Sequence, residues 1–419
     1  MKPARLLSLA MCFGAAISSQ AALAVIDPGA TVVKLRTSCS EGGVTLNNCF
    51  TSMSGTSGLQ NWVDNVRTGA TNNTSGPLDV EIGPGTFGGF TCNKNNISLK
   101  GSGPAQTILL RRHLGSASRY GIESNGCSNF NVQDLTVNGN VAIAIAWNGG
   151  GSSQWTNVTV ESQSSAWAEV PGNTSDKGCQ TIKKESDRSV HYWFNSRLRG
   201  MGLTYIAVCS ENWFFGSEIM ATSGGTVGTS VAALMVNTTF GANTFGATTS
   251  VRPEVHVYGS VIRVKADPGF TYPTPNTGGN TGSGLMAVAA GRNADVHIHG
   301  TGIDLIGNEL PNDIAALAAW DGGTIHANEA AYNLKTGAGG AVTRILMDTN
   351  LSTAVHAPYL WGQYPTPQHP SLPNITSVTG ADTAVITSTS DGHPHLVIYD
   401  KTCTTQTKWY DTVDKVCLP

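Results

Sequence analysis

The densest group of charged residues in the chain is Lys183–Arg188, and His191 follows three residues later. Lys183 or His191 could act as a general base, and Arg188 could neutralise a carboxylate in a substrate. Removing the proton next to a uronic acid carboxylate needs both functions, so the group is a candidate lyase site for acidic polysaccharide. A solvated charged turn is the more ordinary interpretation, because charge runs usually are solvated.

Aromatic and basic side chains recur at equivalent positions of several short segments. These side chains are candidates for contact with a polysaccharide, because sugar rings stack on aromatic rings and sugar carboxylates pair with arginine. Burial of the aromatic face under a long loop insertion is the interpretation that we favour, since large exposed aromatic patches are uncommon. The predicted substrate-binding residues are Tyr192, Trp213, Tyr258, Arg197 and Arg199.

Arg197 and Arg199 also belong to a series of charged residues that should point outwards if Ser196 and Leu198 point inwards. Neighbouring strands lie about 4.8 Å apart, so opposite charges in such a series can pair from strand to strand. We favour a solvated ladder of ion pairs over an acidic-glycan surface here. The other members of the series are Glu161, Glu218, Arg263, Lys265 and Asp304.

Three histidines, His256, His297 and His326, occupy similar outward positions in successive segments. Paired imidazoles can hold a metal ion. No carboxylate or cysteine joins them at the ligand spacing of a zinc site. The sequence therefore predicts no metal site and no cofactor.

An internal repeat predicts the scaffold for these residues. Seven segments place a residue that tolerates positive φ between two short alternating strands. The spacing of these bends ranges from 21 residues (Asn195 to Gly216) to 43 residues (Gly216 to Gly259). The bend residues are Gly101, Asp134, Asn157, Asn195, Gly216, Gly259 and Gly300.

A further short apolar strand lies near most of these bends, for example Tyr205–Cys209 and Ala232–Val236. Three strands and one special bend per coil predict an all-β fold, a right-handed parallel β-helix over residues 76–356. An antiparallel sandwich or propeller would need many hairpin turns. Only three Asn-Gly pairs occur, and only Asn138-Gly139 could form a local hairpin between apolar runs.

The two ends of the chain differ from this central region. Residues 1–24 have a basic start, an apolar run and the small-x-small sequence Ala22-Leu23-Ala24, which predict a cleaved signal peptide and a secreted or periplasmic protein. Residues 25–75 should form an N-terminal cap with a short amphipathic helix containing Leu59, Trp62, Val63 and Val66. Residues 357–419 should form a Pro-rich connection and a C-terminal segment stapled by a disulfide.

Cysteine count and net charge fit an exported protein. Removing residues 1–24 leaves eight cysteines and changes the formal net charge from −3 to −5. An even number of cysteines in an exported chain predicts disulfides. The acidic balance argues against nucleic acid as a partner, and no later apolar run is long enough for a membrane span. The plausible pairs are Cys39 with Cys49, Cys403 with Cys417, Cys92 with Cys127, and Cys179 with Cys209.

The stretches Asp79-Val-Glu-Ile-Gly-Pro-Gly-Thr-Phe and Asn96-Ile-Ser-Leu-Lys-Gly-Ser-Gly-Pro-Ala-Gln-Thr-Ile resemble the opening coils of pectin-lyase-like β-helix proteins. The bend Asn and Asp residues resemble the asparagine ladder of that superfamily. The resemblance implies the fold and says little about chemistry; together with the charged group at Lys183–Arg188 it leads us to expect an exported protein that binds or processes polysaccharide containing uronic acid. The active-site motifs of its hydrolase, esterase and epimerase members are missing, so a non-catalytic surface or adhesion protein is the alternative.

Overall fold

The structure is a computed structural model that describes the greater part of the chain. The described residues are 31–66, 77–113, 119–169, 182, 184–223, 231–237, 251–265, 285–291, 293–306, 314–320, 323–328, 330–335, 344–348, 355–356, 361–363, 382–388, 394–399, 409–411 and 416–418. The predicted signal peptide, residues 1–24, and most of the Pro-rich stretch lie outside these residues.

The described residues form 37 short strands, and the pairing of these strands defines the fold: three long sheets are built almost entirely from parallel neighbours. Strands are numbered β1 to β37 in chain order. Each coil contributes one strand to each sheet, and the next coil adds the next strand, so residues about one coil apart in sequence become neighbours.

Sheet I contains twelve strands, and its outer face carries the aromatic and histidine residues singled out above. Its strands are β1 (Thr31–Leu35), β4 (Cys49–Phe50), β5 (Leu78–Ile82), β8 (Ile97–Lys100), β11 (Phe130–Gln133), β14 (Ser152–Thr156), β17 (Ser189–Phe194), β20 (Ser210–Phe215), β23 (Glu254–Tyr258), β26 (Asp295–His299), β29 (Thr324–Asn328) and β32 (Val355–His356).

Sheet II contains thirteen strands and sheet III ten. The strands of sheet III are β6 (Gly85–Gly88), β9 (Thr107–Leu110), β12 (Thr136–Asn138), β15 (Thr159–Glu161), β18 (Arg197–Met201), β21 (Glu218–Thr222), β24 (Val261–Lys265), β27 (Gly302–Ile306), β30 (Ala331–Lys335) and β33 (Trp361–Gln363). The strands of sheet II are β7 (Phe90–Cys92), β10 (Ile122–Asn125), β13 (Ile145–Asn148), β16 (Trp167–Glu169), β19 (Leu203–Ala207), β22 (Val231–Asn237), β25 (Leu285–Gly291), β28 (Ile314–Trp320), β31 (Arg344–Asp348), β34 (Asp382–Ser388), β35 (Pro394–Tyr399), β36 (Trp409–Asp411) and β37 (Val416–Leu418).

The predicted parallel β-helix is confirmed by this topology. Pairing within the three sheets is parallel up to β33, whereas β34 to β37 pair antiparallel at the C-terminal end of sheet II. The suggested hairpin at Asn138-Gly139 is wrong, because β12 and β13 on either side of it belong to different sheets. A small antiparallel hairpin does occur near the N-terminus, formed by β2 (Ser40–Glu41) and β3 (Val44–Thr45).

The bends between sheets I and III have the predicted backbone at six of the seven positions. Their φ angles lie between 48° at Asn195 and 57° at Gly216. The Asn157 side chain donates a hydrogen bond to Oδ1 of Asp134 at 2.7 Å, which forms one rung of the predicted ladder. Gly101 is the exception, since it does not have a positive φ; instead a Cβ there would lie 2.2 Å from the backbone oxygen of Asp134. Glycine is required at this position by close packing between coils.

The interior is filled by the inward residues of all three sheets. Its centre is a stack of large rings from successive coils; those of Trp155 and Trp193 lie 4.9 Å apart and are nearly parallel. Aromatic side chains bury the largest apolar area per residue, so this stack is a major source of stability. The fully buried rings include Phe90, Phe130, Trp147, Trp155, Trp167, Trp193, Tyr205 and Phe214.

The predicted amphipathic helix is a short helical segment: α1 (Leu59–Asn61) continues as a π-helical turn over Trp62–Val66. Leu59 and Val63 are buried in the main core. The Gln60 side chain donates to the Thr91 carbonyl at 2.9 Å and accepts from its N–H at 2.8 Å. Thr91 belongs to β7, the edge strand of sheet II, so the segment packs at the N-terminal end of that sheet. Its role as a cap stays a prediction.

Two of the predicted disulfides are present, Cys39–Cys49 and Cys92–Cys127. Cys209 and Cys417 are also disulfide-bonded, whereas Cys179 and Cys403, their predicted partners, lie outside the described residues. Within the described ranges, no helix combines the length and the apolar character needed to cross a membrane.

Candidate functional site

The outer face of sheet I carries three columns of side chains, because successive strands pair in register. In the ring column, Tyr192 pairs with Trp213, Trp213 with His256, His256 with His297 and His297 with His326. Two residues further along each strand lies the second ring column, formed by Phe194, Phe215, Tyr258 and His299. Two residues before the ring column lies the acid column, formed by Glu211, Glu254 and Asp295.

The rings stack along the axis of the β-helix. The rings of Phe194 and Phe215 are 5.2 Å apart and nearly parallel, and those of Trp213 and His256 are 3.8 Å apart. Within such a column each ring covers the face of the next one and presents only its edge to solvent. Tyr192 is the first ring of the column and is 38% exposed. Its neighbour on the preceding strand is the exposed residue Gln154, which pairs in turn with Asn131.

Arg188 lies beside the acid column and is held by three carboxylates. Its guanidinium nitrogens lie 3.1 Å from carboxylate oxygens of Glu185, Glu211 and Glu254. The side chain also donates to the Arg252 carbonyl at 2.9 Å and is only 13% exposed. Arg188 was predicted to neutralise a substrate carboxylate. In the structure its guanidinium already pairs with the protein's own carboxylates, so it is not available for that role.

His191 is not on the outer face. Side chains alternate along β17, and since Tyr192 points outwards, His191 points inwards and is fully buried. Its ring lies edge-on to Trp147 and Trp167, with centroids 4.5 and 4.7 Å away, and its Nδ1 is 2.7 Å from the Ser153 hydroxyl. Burial lowers the pKa of His191 to about 3. The prediction of His191 as a catalytic base is wrong on this geometry, because a polymer cannot reach a ring inside the coil; Lys183, the other predicted base, lies outside the described residues.

A buried polar chain inside the same coils was not predicted. Glu169 accepts hydrogen bonds from the backbone N–H groups of Val208 and Cys209 at 2.7 and 2.8 Å and from the Ser210 hydroxyl. Ser210 Oγ also accepts from Asn212, whose Oδ1 accepts from the Tyr205 hydroxyl. Burial raises the pKa of Glu169. These groups satisfy one another inside the rod and have no route to a polymeric ligand.

The charged residues of sheet III form the predicted ladder of ion pairs. Glu218 lies at its centre: it is 2.8 Å from Arg263, 3.4 Å from Arg199 and 3.9 Å from Arg197. Arg263 also pairs with Asp304 at 2.8 Å. Arg197 has the longest of these contacts and its side chain is 65% exposed. It is therefore the member of the ladder best able to pair with an external anion.

The histidines of the ring column are joined by carboxylates, and this corrects the reasoning behind the prediction of no metal site. Glu254 and Asp295 precede His256 and His297 by two residues, so they share the outer face of their strands. The Nε2 atom of His256 is 2.9 Å from Glu254 Oε1, and that of His297 is 3.3 Å from Asp295 Oδ2. The sequence does carry a signal for these pairs: a Glu-x-His and an Asp-x-His pattern on predicted strands places each carboxylate on the same face as its histidine.

The electrostatics of this histidine region follow from partial burial among charges. Burial lowers the pKa of His256, against the opposing effect of Glu254. Burial by itself would raise the pKa of Asp295, but His297 and the charge of Arg252 outweigh it and the net shift is downwards. Asp295 is therefore an anion at neutral pH that faces two imidazoles.

Comparisons with known proteins find solved structures of low similarity. Pectin methylesterase from carrot gives a TM-score of 0.39 at 12% identity over 80% of this chain and 88% of that one. Pectin methylesterase PemA from Erwinia chrysanthemi gives 0.40 at 13% identity, over 75% and 92% respectively. Escherichia coli YbhC gives 0.39 at 12%, over 79% and 84%. No family model and no curated protein matches the sequence.

The class of this protein follows from its own sheets: it is a parallel β-helix protein with the fold that the resemblance to pectin-lyase-like proteins predicted. At these identities and scores the likeness to the solved structures concerns the fold alone. No residue role is transferred from those proteins to this chain.

Proposed function

We propose that this protein is exported and binds polysaccharide along the outer face of sheet I. The single observation that carries the proposal is the position of Tyr192, a partly exposed ring at the start of the ring column with amide side chains beyond it. A pyranose can stack its C–H face on this terminal ring. The amides of Gln154 and Asn131 can donate to and accept from the hydroxyls of the sugars that follow.

The same geometry limits how the remaining rings can contribute. Trp213 and Tyr258 are covered by their neighbours in the two ring columns, so they offer edges to a ligand. Their main effect is to fix the orientation of Tyr192 and to keep the face flat. This rigidity lowers the entropy cost of binding an extended polymer.

A uronic acid polymer is the ligand class that we favour. Arg197 follows Tyr192 in the same coil and is weakly paired, so its guanidinium is available for a sugar carboxylate. The acid column lies on the other side of the rings and would repel the same carboxylate. A bound acidic chain would therefore lie with its carboxylates towards the sheet III side.

Binding without catalysis is the form of the proposal that the residues support best. Arg188 is occupied by three carboxylates and His191 is inside the coil, which removes two of the three groups on which lyase chemistry depended. Export is supported by the disulfides, which persist in oxidising compartments. A rigid rod that presents a polysaccharide-binding face suits a surface or adhesion role.

The test is binding to a panel of immobilised uronate polymers and neutral glycans, measured by biolayer interferometry. Tyr192→Ala should weaken binding at least about tenfold, which corresponds to about 1.4 kcal/mol, while Tyr192→Phe should retain it. Arg197→Gln should weaken binding only to the uronate polymers. Val141→Ala, an exposed apolar residue away from the face, is the matched control.

Two results would overturn the proposal: no binding to any polymer by the folded protein, or equal binding by the Tyr192→Ala variant. The lyase alternative is tested in parallel by incubating the protein with uronate polymers and recording the ultraviolet absorbance. New absorbance from unsaturated products would contradict the non-catalytic form of the proposal.

A further inference from the structure

Three potential metal ligands converge in the part of the ring column that lies furthest from Tyr192 among the side chains that the structure describes. Asp295 and His297 lie on β26 and His326 lies on β29, where it pairs in register with His297. One donor atom from each of the three residues lies within 4.8 Å of the others. The two imidazole rings are 4.6 Å apart and nearly parallel, and the Nε2 atom of each lies beside an oxygen of Asp295.

The spacing of these atoms suits metal coordination. Asp295 Oδ2 is 3.3 Å from His297 Nε2, and Asp295 Oδ1 is 3.4 Å from His326 Nε2. Both distances exceed the usual 2.7–3.2 Å of an N–H···O hydrogen bond. Two ligands at about 2.0–2.1 Å from a tetrahedral zinc ion are about 3.3 Å apart. The donor atoms of all three residues lie within 4.8 Å of one another, and binding of one ion would draw the two imidazole rings together.

Asp295 has one oxygen that hydrogen bonding leaves unused. Its Oδ2 is held by Arg252 at 2.9 Å. Its Oδ1 is buried and has no hydrogen-bond partner within the described part of the chain. The whole residue is only 9% exposed. A buried carboxylate oxygen without a hydrogen bond is costly unless a cation compensates it, and this oxygen lies 3.4 Å from Nε2 of His326.

The neighbouring group, Glu254, His256 and His297, is less suited to a metal. Glu254 Oε1 makes an ordinary hydrogen-bond contact of 2.9 Å with His256, and its Oε2 pairs with Arg188 at 3.1 Å. Both oxygens are therefore engaged. Because the two groups share His297, they cannot both be fully occupied.

We infer that Asp295, His297 and His326 bind one first-row divalent metal ion, for which Zn²⁺ fits the donor set of two imidazoles and a carboxylate. His297 and His326 are partly exposed, so the fourth coordination position faces solvent and can accept a water molecule or a ligand oxygen. The inference does not depend on polysaccharide binding, since it rests on different residues and a different end of the face.

The test is isothermal titration of the chelator-treated full chain with Zn²⁺, together with visible absorption of the Co²⁺-loaded protein. One Zn²⁺ per chain is expected, and the Co²⁺ bands should have the intensity of a four-coordinate site. Asp295→Asn and His326→Gln should each weaken Zn²⁺ binding at least about tenfold, or about 1.4 kcal/mol. Glu254→Gln is the matched control and should change the affinity less than about twofold.

Circular dichroism of every variant separates loss of the metal site from loss of the fold. If Asp295→Asn does not fold, His297→Gln is a second variant, because it removes the ligand that the two groups share. The inference is overturned if the folded wild-type chain binds no Zn²⁺, or if His326→Gln and wild type bind it equally. It is also overturned if Glu254→Gln impairs binding as strongly as Asp295→Asn, because the ion would then belong to the neighbouring group.

Discussion

The neutral, buried imidazole of His191 should make the protein less stable as the pH falls below about 6.5. In the folded chain the pKa of His191 is about 3, because burial disfavours the charged ring. In the unfolded chain the ring titrates near 6.5. Between these two values the unfolded state binds the additional proton, so the stability contribution is fully present above the unfolded pKa and is lost as the pH falls towards the folded pKa.

The magnitude follows from the difference between the two pKa values. Each pH unit below the unfolded pKa costs about 1.4 kcal/mol. From pH 7.5 to pH 4.5 this single residue should therefore remove about 3 kcal/mol of unfolding free energy. The carboxylate of Asp295, whose pKa is lowered in the folded chain, adds to the same trend, so the contribution of His191 must be isolated by substitution.

The assay is urea denaturation at pH 7.5, 5.5 and 4.5, followed by the fluorescence of the tryptophans that surround the ring. His191→Gln keeps a side chain that can bond to the Ser153 hydroxyl but cannot gain the proton, so its stability should fall less steeply with acid. The difference in slope between wild type and variant should approach 1.4 kcal/mol per pH unit. His113→Gln, at a partly exposed position, is the control and should follow the wild type.

Equal pH slopes for wild type and His191→Gln would refute the reasoning, as would an NMR titration of His191 near pH 6.5 in the folded protein. If His191→Gln does not fold, His191→Phe tests the same slope, because a phenyl ring can occupy the space between Trp147 and Trp167.

Two further predictions concern the networks that hold the face in place. Arg188→Met should leave three carboxylates without their arginine partner and lower the unfolding free energy by about 2 kcal/mol. Chemical denaturation measures this loss, which should be smaller at high salt. An unchanged denaturation midpoint would contradict the structural role of Arg188. Asn157→Ala should cost about 1–2 kcal/mol, because alanine disfavours the φ of 52° at this bend and the rung to Asp134 is lost. Asn157→Gly should cost less, and equal melting temperatures for the two variants would exclude a backbone origin of the loss.

Local sequence features predicted the scaffold well because the physics of each coil is local. A residue that accepts positive φ between two alternating strands forces the same bend wherever it occurs, as at Asp134, Asn157 and Asn195. Strand alternation likewise placed Tyr192 and Trp213 on one face. The same alternation excludes His191 from that face, because adjacent residues of a strand point to opposite sides and Tyr192 points outwards.

Which residues come together in the candidate sites depends on how the coils stack, and local sequence patterns do not encode this stacking. Arg188 meets Glu211 and Glu254, which are 23 and 66 residues away, and the loops between them set this separation. Asp295 and His326 come together only because β26 and β29 are neighbours in register.

The sequence by itself determined the repeating bend and the alternation of buried and outward residues. The tertiary structure decided which charges neutralise one another, which imidazole is sealed in the core and which imidazoles share a carboxylate. The physical reason is that φ preferences and side-chain alternation act within a few residues, whereas ion pairs and ligand sets form between strands whose separation in sequence is set by loops of variable length.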